Sequence, residues 1–171
     1  MTTLYLVRHG ETIDNVNKIM QGQRHGELTP AGIEQIRQLA TSLSSIHFDA
    51  IIASDLHRAY DSARIVAEQR DMSVATTALL RERDWGDFTG QYILGLKGQP
   101  LPENVEKMDD LLNRARTFLD WTTSTYPDSV VLAVGHGIIN KAIQAVHYGI
   151  QTREVLRMEN AEYRILYLDR G

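Results

Sequence analysis

The feature that most constrains the fold is an alternation of short apolar runs with longer segments whose apolar residues recur at helical spacing. We predict strands at residues 3–8, 49–53, 73–77, 130–134 and 163–168. Between them we predict helices at residues 30–46, from residue 54 to about 70, at 105–125, and from 137 to about 148. Strands that alternate with helices favour an α/β fold with a mainly parallel sheet covered on both faces.

The starts of two predicted helices carry capping signals. Thr29 is a candidate N-cap, because a threonine hydroxyl accepts from a free backbone N–H, and Pro30 suits the first helical position. Ser54 and Asp55 offer similar chemistry before the next helix.

The remaining long segments are interpreted as loops within one domain. Residues 9–28 and 81–104 are rich in polar residues and glycine, so we predict that they are mostly irregular. The 171 residues contain no repeat, low-complexity segment or linker, and a chain of this length can bury the core of one domain. We therefore predict a single domain over residues 1–171.

The composition excludes several classes of function. The chain has no cysteine, which excludes a disulfide framework, a thiolate zinc site and a cysteine nucleophile. Its formal net charge of −4 argues against nucleic acid or a membrane surface as the main partner. No segment approaches the roughly 20 apolar residues of a membrane span, and the first residues do not resemble a signal peptide. We expect a soluble, cytoplasmic protein.

Two short motifs share one design at the ends of predicted strands. An Arg-His-Gly motif at residues 8–10 follows the first strand, and a Gly-His-Gly motif at residues 135–137 follows the fourth. In a parallel sheet the binding cleft lies beyond the carboxyl ends of the strands, so His9 and His136 should both face it. The flanking glycines should let the backbone turn sharply and approach a ligand closely.

Positive charge is expected at the same edge of the sheet. Arg58 falls in the first turn of the helix after the second strand, where free N–H groups and the helix dipole favour an anion. Arg8 and Arg58 add charge-assisted, fork-shaped donors. Two arginines, two histidines and helix N-termini at one edge make phosphate the natural ligand.

His9 is the predicted nucleophile, since a neutral imidazole is available near pH 7 and can attack phosphorus. Arg8, Arg58 and His136 would stabilise the equatorial oxygens of the transferring group. Glu82, in an irregular segment that follows a strand, is the best candidate to protonate the leaving oxygen.

Each of these residues also has an ordinary structural interpretation. His9 alone could be a loop histidine bonded to the backbone, Arg58 a solvated helix residue, and Glu82 a surface ion-pair partner. Their combination at equivalent strand ends is what favours a site. A metal site built from His9, His136 and Asp55 is disfavoured, because the adjacent arginines would repel a divalent cation.

Taken in order, the motifs resemble the histidine phosphatase superfamily in its phosphoglycerate-mutase-like branch, over nearly the whole chain. The segment from Arg8 to Asn15 matches the RHGxTxxN opening of that family. The segments that resemble its later motifs run from Gln21 to Gly32, from Ser54 to Ala63, from Glu82 to Gly90, and from Val134 to Gly137. The ordered set is a strong signal, whereas each member alone is weak.

The resemblance implies a three-layer α/β/α sandwich with a mostly parallel central sheet, and it implies specific roles. His9 would form a phosphohistidine, and Arg8, Arg58 and His136 would complete the phosphate pocket. Glu82 would protonate the leaving group and then activate water. The substrate-binding residues expected in addition are Thr12, Asn15, Gln21, Gly22 and Gly137. No metal or organic cofactor would be needed.

Phosphatases and mutases share the phosphohistidine step and differ in what receives the phosphoryl group. Glycolytic mutases resemble this chain but carry a longer inserted lid, whereas the segment between Gly90 and Asn104 is short and has one basic residue, Lys97. Because an open site admits water, we favour a metal-independent phosphomonoester hydrolase. The alternatives are transfer of the phosphoglycerate-mutase type and, in another class, a non-catalytic phosphate-binding protein.

The sequence leaves the substrate open between a small phosphorylated molecule and a phosphorylated side chain on a protein. Short protein-histidine phosphatases of the superfamily tend to lack the acid at the position of Glu82, so its presence favours a phosphomonoester. His25, Asp84 and Trp85 depart from residues common in the family, and these departures bear on substrate choice.

Overall fold

The central element of the fold is one five-stranded sheet. The computed structural model describes residues 1–169, and its strands are β1 (Thr2–Arg8), β2 (Ala50–Ser54), β3 (Ala75–Thr77), β4 (Val130–Gly135) and β5 (Tyr163–Leu168). The spatial order is β3-β2-β4-β1-β5. The first four strands pair in parallel, and β5 is antiparallel to β1.

Five α-helices connect or follow the strands. They are α1 (Ile13–Asn17), α2 (Pro30–Ser42), α3 (His57–Glu68), α4 (Met108–Thr125) and α5 (Gly137–Tyr148). Short 3-10 turns occur at Ala78–Leu80, Gly86–Phe88, Ile93–Leu96 and Thr152–Glu154. Among residues 1–169, no helix is both long enough and apolar enough to cross a membrane.

Helices cover both faces of the sheet because successive strand residues point to opposite sides. In β1, Tyr5 and Val7 pack in the layer formed with α2 and α3, whereas Leu4 and Leu6 pack in the layer formed with α4 and α5. Phe118 of α4 lies fully buried in the second layer. The predicted α/β fold, with a mostly parallel sheet between two helical layers, is confirmed.

Several predicted boundaries shift in the structure. The helix predicted over 30–46 ends at Ser42, whose hydroxyl donates to the carbonyl of Leu39 and competes with helical pairing. Leu43 beyond the helix is still buried, which explains why the apolar spacing continued past its end. The helix predicted from 105 begins at Met108.

The two capping predictions have different outcomes. Thr29 caps α2 by accepting from the backbone N–H of Gly32, as predicted. The N-cap of α3 is Leu56 rather than Ser54 or Asp55, and its side chain makes no capping bond. The segment predicted as loop over residues 9–28 contains the short helix α1.

The pairing of β1 with β4 brings the two histidine motifs together. These central strands run parallel, and Arg8 lies opposite Gly135 at the end of the register. The first residue after each of these strands is a histidine, so His9 and His136 lie side by side at the edge of the sheet.

Candidate active site

His9 and His136 form the centre of the candidate site. Their ring centroids lie 5.1 Å apart, at an interplanar angle of 62°. Both are buried, with exposed fractions of 2% for His9 and 0% for His136. The sequence prediction that strand ends far apart in the chain bring these two side chains together is therefore correct.

The environment of His9 fixes its tautomer. Its Nδ1 lies 2.7 Å from the carbonyl oxygen of Gly10, and a carbonyl can only accept, so Nδ1 carries the proton. Burial, followed by the charge of Arg58, holds the pKa of His9 well below its usual range, although the Gly10 bond opposes this and Arg8 adds to it. His9 is therefore a neutral imidazole whose Nε2 has a free lone pair.

His136 is held from behind by a serine. Its Nε2 lies 2.9 Å from the Oγ of Ser54, while its Nδ1 is buried without a hydrogen-bond partner. The same Oγ accepts from the backbone N–H of Leu56, so the serine hydroxyl is free to donate a hydrogen bond to Nε2 of His136. Burial, with Arg58 and His9 next in importance, holds the pKa of His136 well below its usual range.

Arg58 anchors the loop that forms one wall of the site. Its Nη2 donates to the carbonyl of Gly22 at 2.8 Å, and its Nη1 donates to the carbonyls of Arg24 and His25. Burial lowers its pKa to about 10, and the nearby carboxylate of Glu82 opposes that shift. Arg58 therefore keeps its charge at neutral pH although it is 1% exposed.

Arg8 is held in a similar way on the opposite wall. Its Nη1 donates to the carbonyl of Met158 at 2.7 Å, and its guanidinium lies against Gly137, where an added Cβ would be 3.5 Å from Cζ. Burial, then the charge of Arg157, lowers the pKa of Arg8.

Unpartnered donors point to an anion at this place. Within residues 1–169, the buried side-chain nitrogens without a hydrogen-bond partner are Arg8 Nε, Arg58 Nε and His136 Nδ1. Buried polar groups are normally satisfied, so such a cluster marks a place where a ligand supplies the missing acceptors. Arg8 and Arg58 line the same cleft as His9, and the ring of His136 contacts that of His9, so these groups lie near the His9 imidazole.

Glu82 contributes the carboxylate of the site. Its Oε1 accepts from the backbone N–H groups of Arg83 at 2.9 Å and Ile139 at 3.0 Å, and its Oε2 accepts from Ile138 at 3.1 Å. These bonds tie Glu82 to the first turn of α5, whose free N–H groups need acceptors. The half-buried side chain lines the same cleft as His9.

The cleft itself has a volume of about 330 Å³. The predicted substrate-binding residues Asn15, Gln21, Gly22 and Gly137 all line it, together with Arg8, His9, Arg58 and Glu82. Asn15 is oriented through its Oδ1, which accepts from the backbone N–H of Thr12 and the Nδ2 of Asn160.

Thr12 does not fit its predicted role in direct substrate binding. It is fully buried behind the cleft wall, where its hydroxyl donates to Gln21 and accepts from the backbone N–H of Asn15. The first turn of α1 uses it as the N-cap of a capping box with Asn15. Thr12 therefore positions two cleft residues and is not one itself.

The expectation that the glycines beside the histidines make sharp, glycine-specific turns is wrong. None of the motif glycines at residues 10, 135 and 137 has a positive φ. A Cβ at Gly10 would lie 2.5 Å from the carbonyl oxygen of Gly32, so the small residue is required by loop packing. The glycine with a left-handed backbone in the cleft wall is Gly22, at φ 52°.

Asp55, considered with the two histidines as a metal ligand, lies in a different arrangement. Its two carboxylate oxygens accept from Nε and Nη2 of Arg81 at 2.8 and 2.7 Å. In the described part of the chain, no group of three or more histidine or acidic side chains is placed to hold a metal ion.

Sequence reasoning missed several residues around the site. Lys141 and Arg157 line the cleft, and neither belongs to a motif. His25 and His57 stack with ring centroids 3.7 Å apart, a contact that the sequence did not indicate. The Lys141 position could have been found from the helical spacing, since it lies one turn after Gly137 on α5.

Comparison with known proteins agrees with this geometry. The sequence matches the model of the histidine phosphatase superfamily (branch 1) over residues 4–171. The chain belongs to this superfamily. Its relatives include the probable phosphoglycerate mutase GpmB of Proteus mirabilis, 35% identical over 153 residues that cover 81% of this chain and 71% of GpmB. They also include the uncharacterized phosphatase PhoE of Bacillus subtilis, 30% identical over 94% of this chain and 86% of PhoE.

This chain is also similar to a solved structure over nearly its whole length. The mycobacterial glucosyl-3-phosphoglycerate phosphatase, solved with VO3, superimposes with a TM-score of 0.89 at 28% identity, covering 96% of this chain and 92% of that one. The superfamily relatives thus include both phosphatases and probable phosphoglycerate mutases, and the chain is an enzyme of the phosphatase and phosphoglycerate-mutase-like type.

Proposed function

We propose that this chain is a phosphatase that hydrolyses phosphomonoesters through a phosphohistidine at His9, without a metal ion, in a single domain spanning residues 1–171. The observation that carries the proposal is a buried, neutral imidazole with a free Nε2, surrounded by donors that have no partner in the protein. A phosphoryl group supplies the acceptors that these donors lack and an electrophile for the lone pair.

In the first step, Nε2 of His9 attacks phosphorus while the bond from phosphorus to the ester oxygen breaks. The Nε groups of Arg8 and Arg58 and the Nδ1 of His136 donate to the phosphoryl oxygens, which hold developing charge in the transition state. The Ser54 hydroxyl donates to Nε2 of His136, so the ring proton stays on Nδ1, which can then act as a donor. The bond to Gly10 holds the His9 ring and stabilises the positive charge that it gains.

Glu82 is proposed to give its proton to the leaving ester oxygen, so that a neutral alcohol departs. Its Oε2 accepts one backbone bond while Oε1 accepts two, so Oε2 has room for that proton. In the second step, the Glu82 carboxylate takes a proton from water, whose oxygen attacks phosphorus and breaks the bond to His9. The sum is ester plus water giving alcohol plus phosphate.

An open rim favours water as the final acceptor. The short segment after Gly90 is joined to the cleft wall by a β-bridge between Tyr92 and Ile19. The residues that follow Tyr92 are exposed to solvent, with exposed fractions of 41% for Ile93 and 57% for Leu94. Ile93 of this segment lines the cleft, so the segment forms one side wall of it. A mutase must keep its phosphoenzyme away from water, which this arrangement does not favour.

The test is phosphate release from a panel of phosphomonoesters in the presence of EDTA, with a parallel assay for interconversion of 3- and 2-phosphoglycerate. We expect release without isomerisation, and we expect His9→Ala to abolish it. Isomerisation without net release would identify a mutase. Binding of phosphate without turnover of any ester would identify a phosphate-binding protein instead.

A second variant tests the proton donor. Glu82→Gln should slow alkyl phosphates, whose alkoxides need a proton, more than aryl phosphates with good leaving groups. Glu103→Gln is a matched control, because it is the same substitution at an exposed residue that does not line the cleft. Equal slowing of both ester types by Glu82→Gln would contradict the proposed role.

A further inference from the structure

The segment that carries Glu82 is irregular. Residues 81–85 lie between the 3-10 turns Ala78–Leu80 and Gly86–Phe88 and belong to no helix or strand of the described structure. Proton donation requires an exact placement of the carboxylate, because a displacement of about 1 Å in an active site can cost about 100-fold in rate. Contacts from outside the segment must therefore fix its position.

Arg114 of α4 supplies three such contacts. Its guanidinium donates to the backbone carbonyls of Leu79, Arg81 and Glu82, and the bonds to Leu79 and Glu82 measure 3.1 and 3.3 Å. The amide of Gln23 adds a further bond to the Glu82 carbonyl, at 3.2 Å. These bonds take the place of the backbone pairing that a strand or a helix would give to the same carbonyls.

Glu106 holds the Arg114 guanidinium in the orientation that these bonds require. Its two carboxylate oxygens accept from Nη2 and Nε of Arg114 at 2.8 and 3.1 Å, a two-point contact that fixes the guanidinium plane. The side chains of Arg114 and Glu106 are 17% and 15% exposed, so the pair lies largely out of solvent. Oε1 of Glu106 also accepts from the backbone N–H of Asp84 at 3.0 Å.

The backbone of Glu106 binds the same irregular segment. Its N–H donates to the carbonyl of Asp84 at 2.7 Å, and its carbonyl accepts from Nε of Arg83 at 2.8 Å. The Arg83 guanidinium lies over the ring of Trp85, 4.7 Å from its centroid, and Trp85 lines the cleft. Glu106 therefore fixes the chain on the side of Glu82 that leads to the cleft wall.

The carboxylate at the other end of the Glu82 side chain is bonded to α5. It accepts from the backbone N–H groups of Ile138 and Ile139 in the first turn of that helix. Helices α4 and α5 pack against each other in one layer of the core. Arg114 thus fixes the Glu82 backbone relative to the helix that binds its carboxylate.

We propose that Arg114, oriented by Glu106, is a positioning residue for Glu82. It holds the irregular segment so that the Glu82 carboxylate stays bonded to α5 and lies where the leaving ester oxygen needs a proton. The inference rests on the proposed function, because it takes Glu82 as the proton donor. A purely structural role for Arg114 would instead slow all esters alike.

The test compares esters that differ in their need for a proton. We would measure kcat/KM for ethyl phosphate and for p-nitrophenyl phosphate with wild-type protein and with Arg114→Lys, which keeps the charge but not the fork-shaped donor set. We expect Arg114→Lys to lower the alkyl-to-aryl ratio about tenfold, because the proton donor is displaced. When Glu82→Gln is already present, Arg114→Lys should not lower this ratio further, since the two changes act through one group.

Two further variants control for folding. Arg116→Lys is the matched control, because it is the same substitution on the same helix at an exposed arginine, which donates to Asn113. It should keep the ratio at the wild-type value. A buried charge without its partner can prevent folding, so Arg114→Gln combined with Glu106→Gln removes both charges together and should also lower the ratio. An unchanged ratio in Arg114→Lys or in the double variant would overturn the proposal, as would a further fall in the Glu82→Gln protein.

A measurement without substrate separates this inference from the proposed function. The amide groups of Ile138 and Ile139 donate to the Glu82 carboxylate, so their hydrogen exchange reports its position. We expect about tenfold faster exchange at both amides in Arg114→Lys, and wild-type exchange in Arg116→Lys. If the wild-type protein hydrolyses no ester, the phosphatase proposal fails, while this local loss of protection still supports the positioning of Glu82. Wild-type exchange at both amides in Arg114→Lys would overturn the inference.

Discussion

Lowering the pH from 7.5 to 5.5 should destabilise this protein by about 2 to 3 kcal/mol, because two histidines are buried in neutral form. Burial is the largest cause that holds the pKa of both His9 and His136 well below the usual range. In the unfolded chain a histidine titrates near 6.5. Below about pH 6.5 these two histidines are protonated in the unfolded chain and stay neutral in the folded chain. The free energy of unfolding therefore falls as the pH falls. Between pH 7.5 and 5.5 each histidine contributes about 1.4 kcal/mol to this loss.

The assay is guanidinium unfolding followed by circular dichroism, in buffers without phosphate, at pH 7.5, 6.5 and 5.5. The readout is the change in the free energy of unfolding between pH values, which is independent of the absolute stability of a variant. His9→Asn and His136→Asn should each retain about half of the change, and the double variant should lose most of it. Equal stability of the wild-type protein at pH 7.5 and 5.5 would refute the reasoning, as would an undiminished change in the double variant.

Three further predictions concern single residues. Ser54→Ala should lower kcat about tenfold with little change in KM, because His136 loses the hydroxyl at Nε2, and ring nitrogen NMR should show an altered tautomer. Gly10→Ala should lower the free energy of unfolding by about 1 to 3 kcal/mol, since its Cβ would meet Gly32 at 2.5 Å. Arg58→Gln should lower kcat/KM at least about 100-fold, because the cleft loses a buried donor and its wall loses an anchor.

Each of these predictions has a clear contrary result. Ser54→Ala with wild-type kcat and an unchanged ring tautomer would show that the serine is only a packing residue. Gly10→Ala as stable as the wild type in chemical denaturation would show that the loop can move aside. Arg58→Gln within a few-fold of wild-type kcat/KM would remove this guanidinium from the proposed phosphate pocket.

The layers of the fold were predictable because they follow from hydrophobic patterning. The run from Val130 to Val134 is apolar throughout, as expected for a central strand buried on both faces. The order of the strands could not be derived in the same way, since the pairing of β4 between β1 and β2 depends on contacts between distant segments.

The inner part of the site was predictable because its residues lie in motifs at strand and helix ends. His9, His136 and Arg58 follow β1, β4 and β2, and parallel pairing brings those ends to one edge. The roles of Ser54 and Gly10 depend on atoms supplied by other loops, so spacing alone did not indicate them. Thr12 shows the opposite error. Its place in the motif predicted contact with substrate, but it hydrogen-bonds to the cleft residue Gln21 instead.

The outer part of the site was not predictable from motifs. Arg157 lines the cleft from the loop before β5. The residues next to it in sequence form no motif that would have predicted this position. Substrate preference depends on such residues, which explains why a strong family pattern can define the chemistry at His9 without defining the substrate.

The most direct test of the central claim is to trap the phosphoenzyme. The protein would be mixed with an aryl phosphate, quenched in base, in which a phosphohistidine is stable, and digested for mass spectrometry. Our account predicts an acid-labile phosphoryl group on His9 that is absent from His9→Ala protein. Turnover of the ester with the phosphoryl group on another residue, or with undiminished phosphate release by His9→Ala protein, would contradict it.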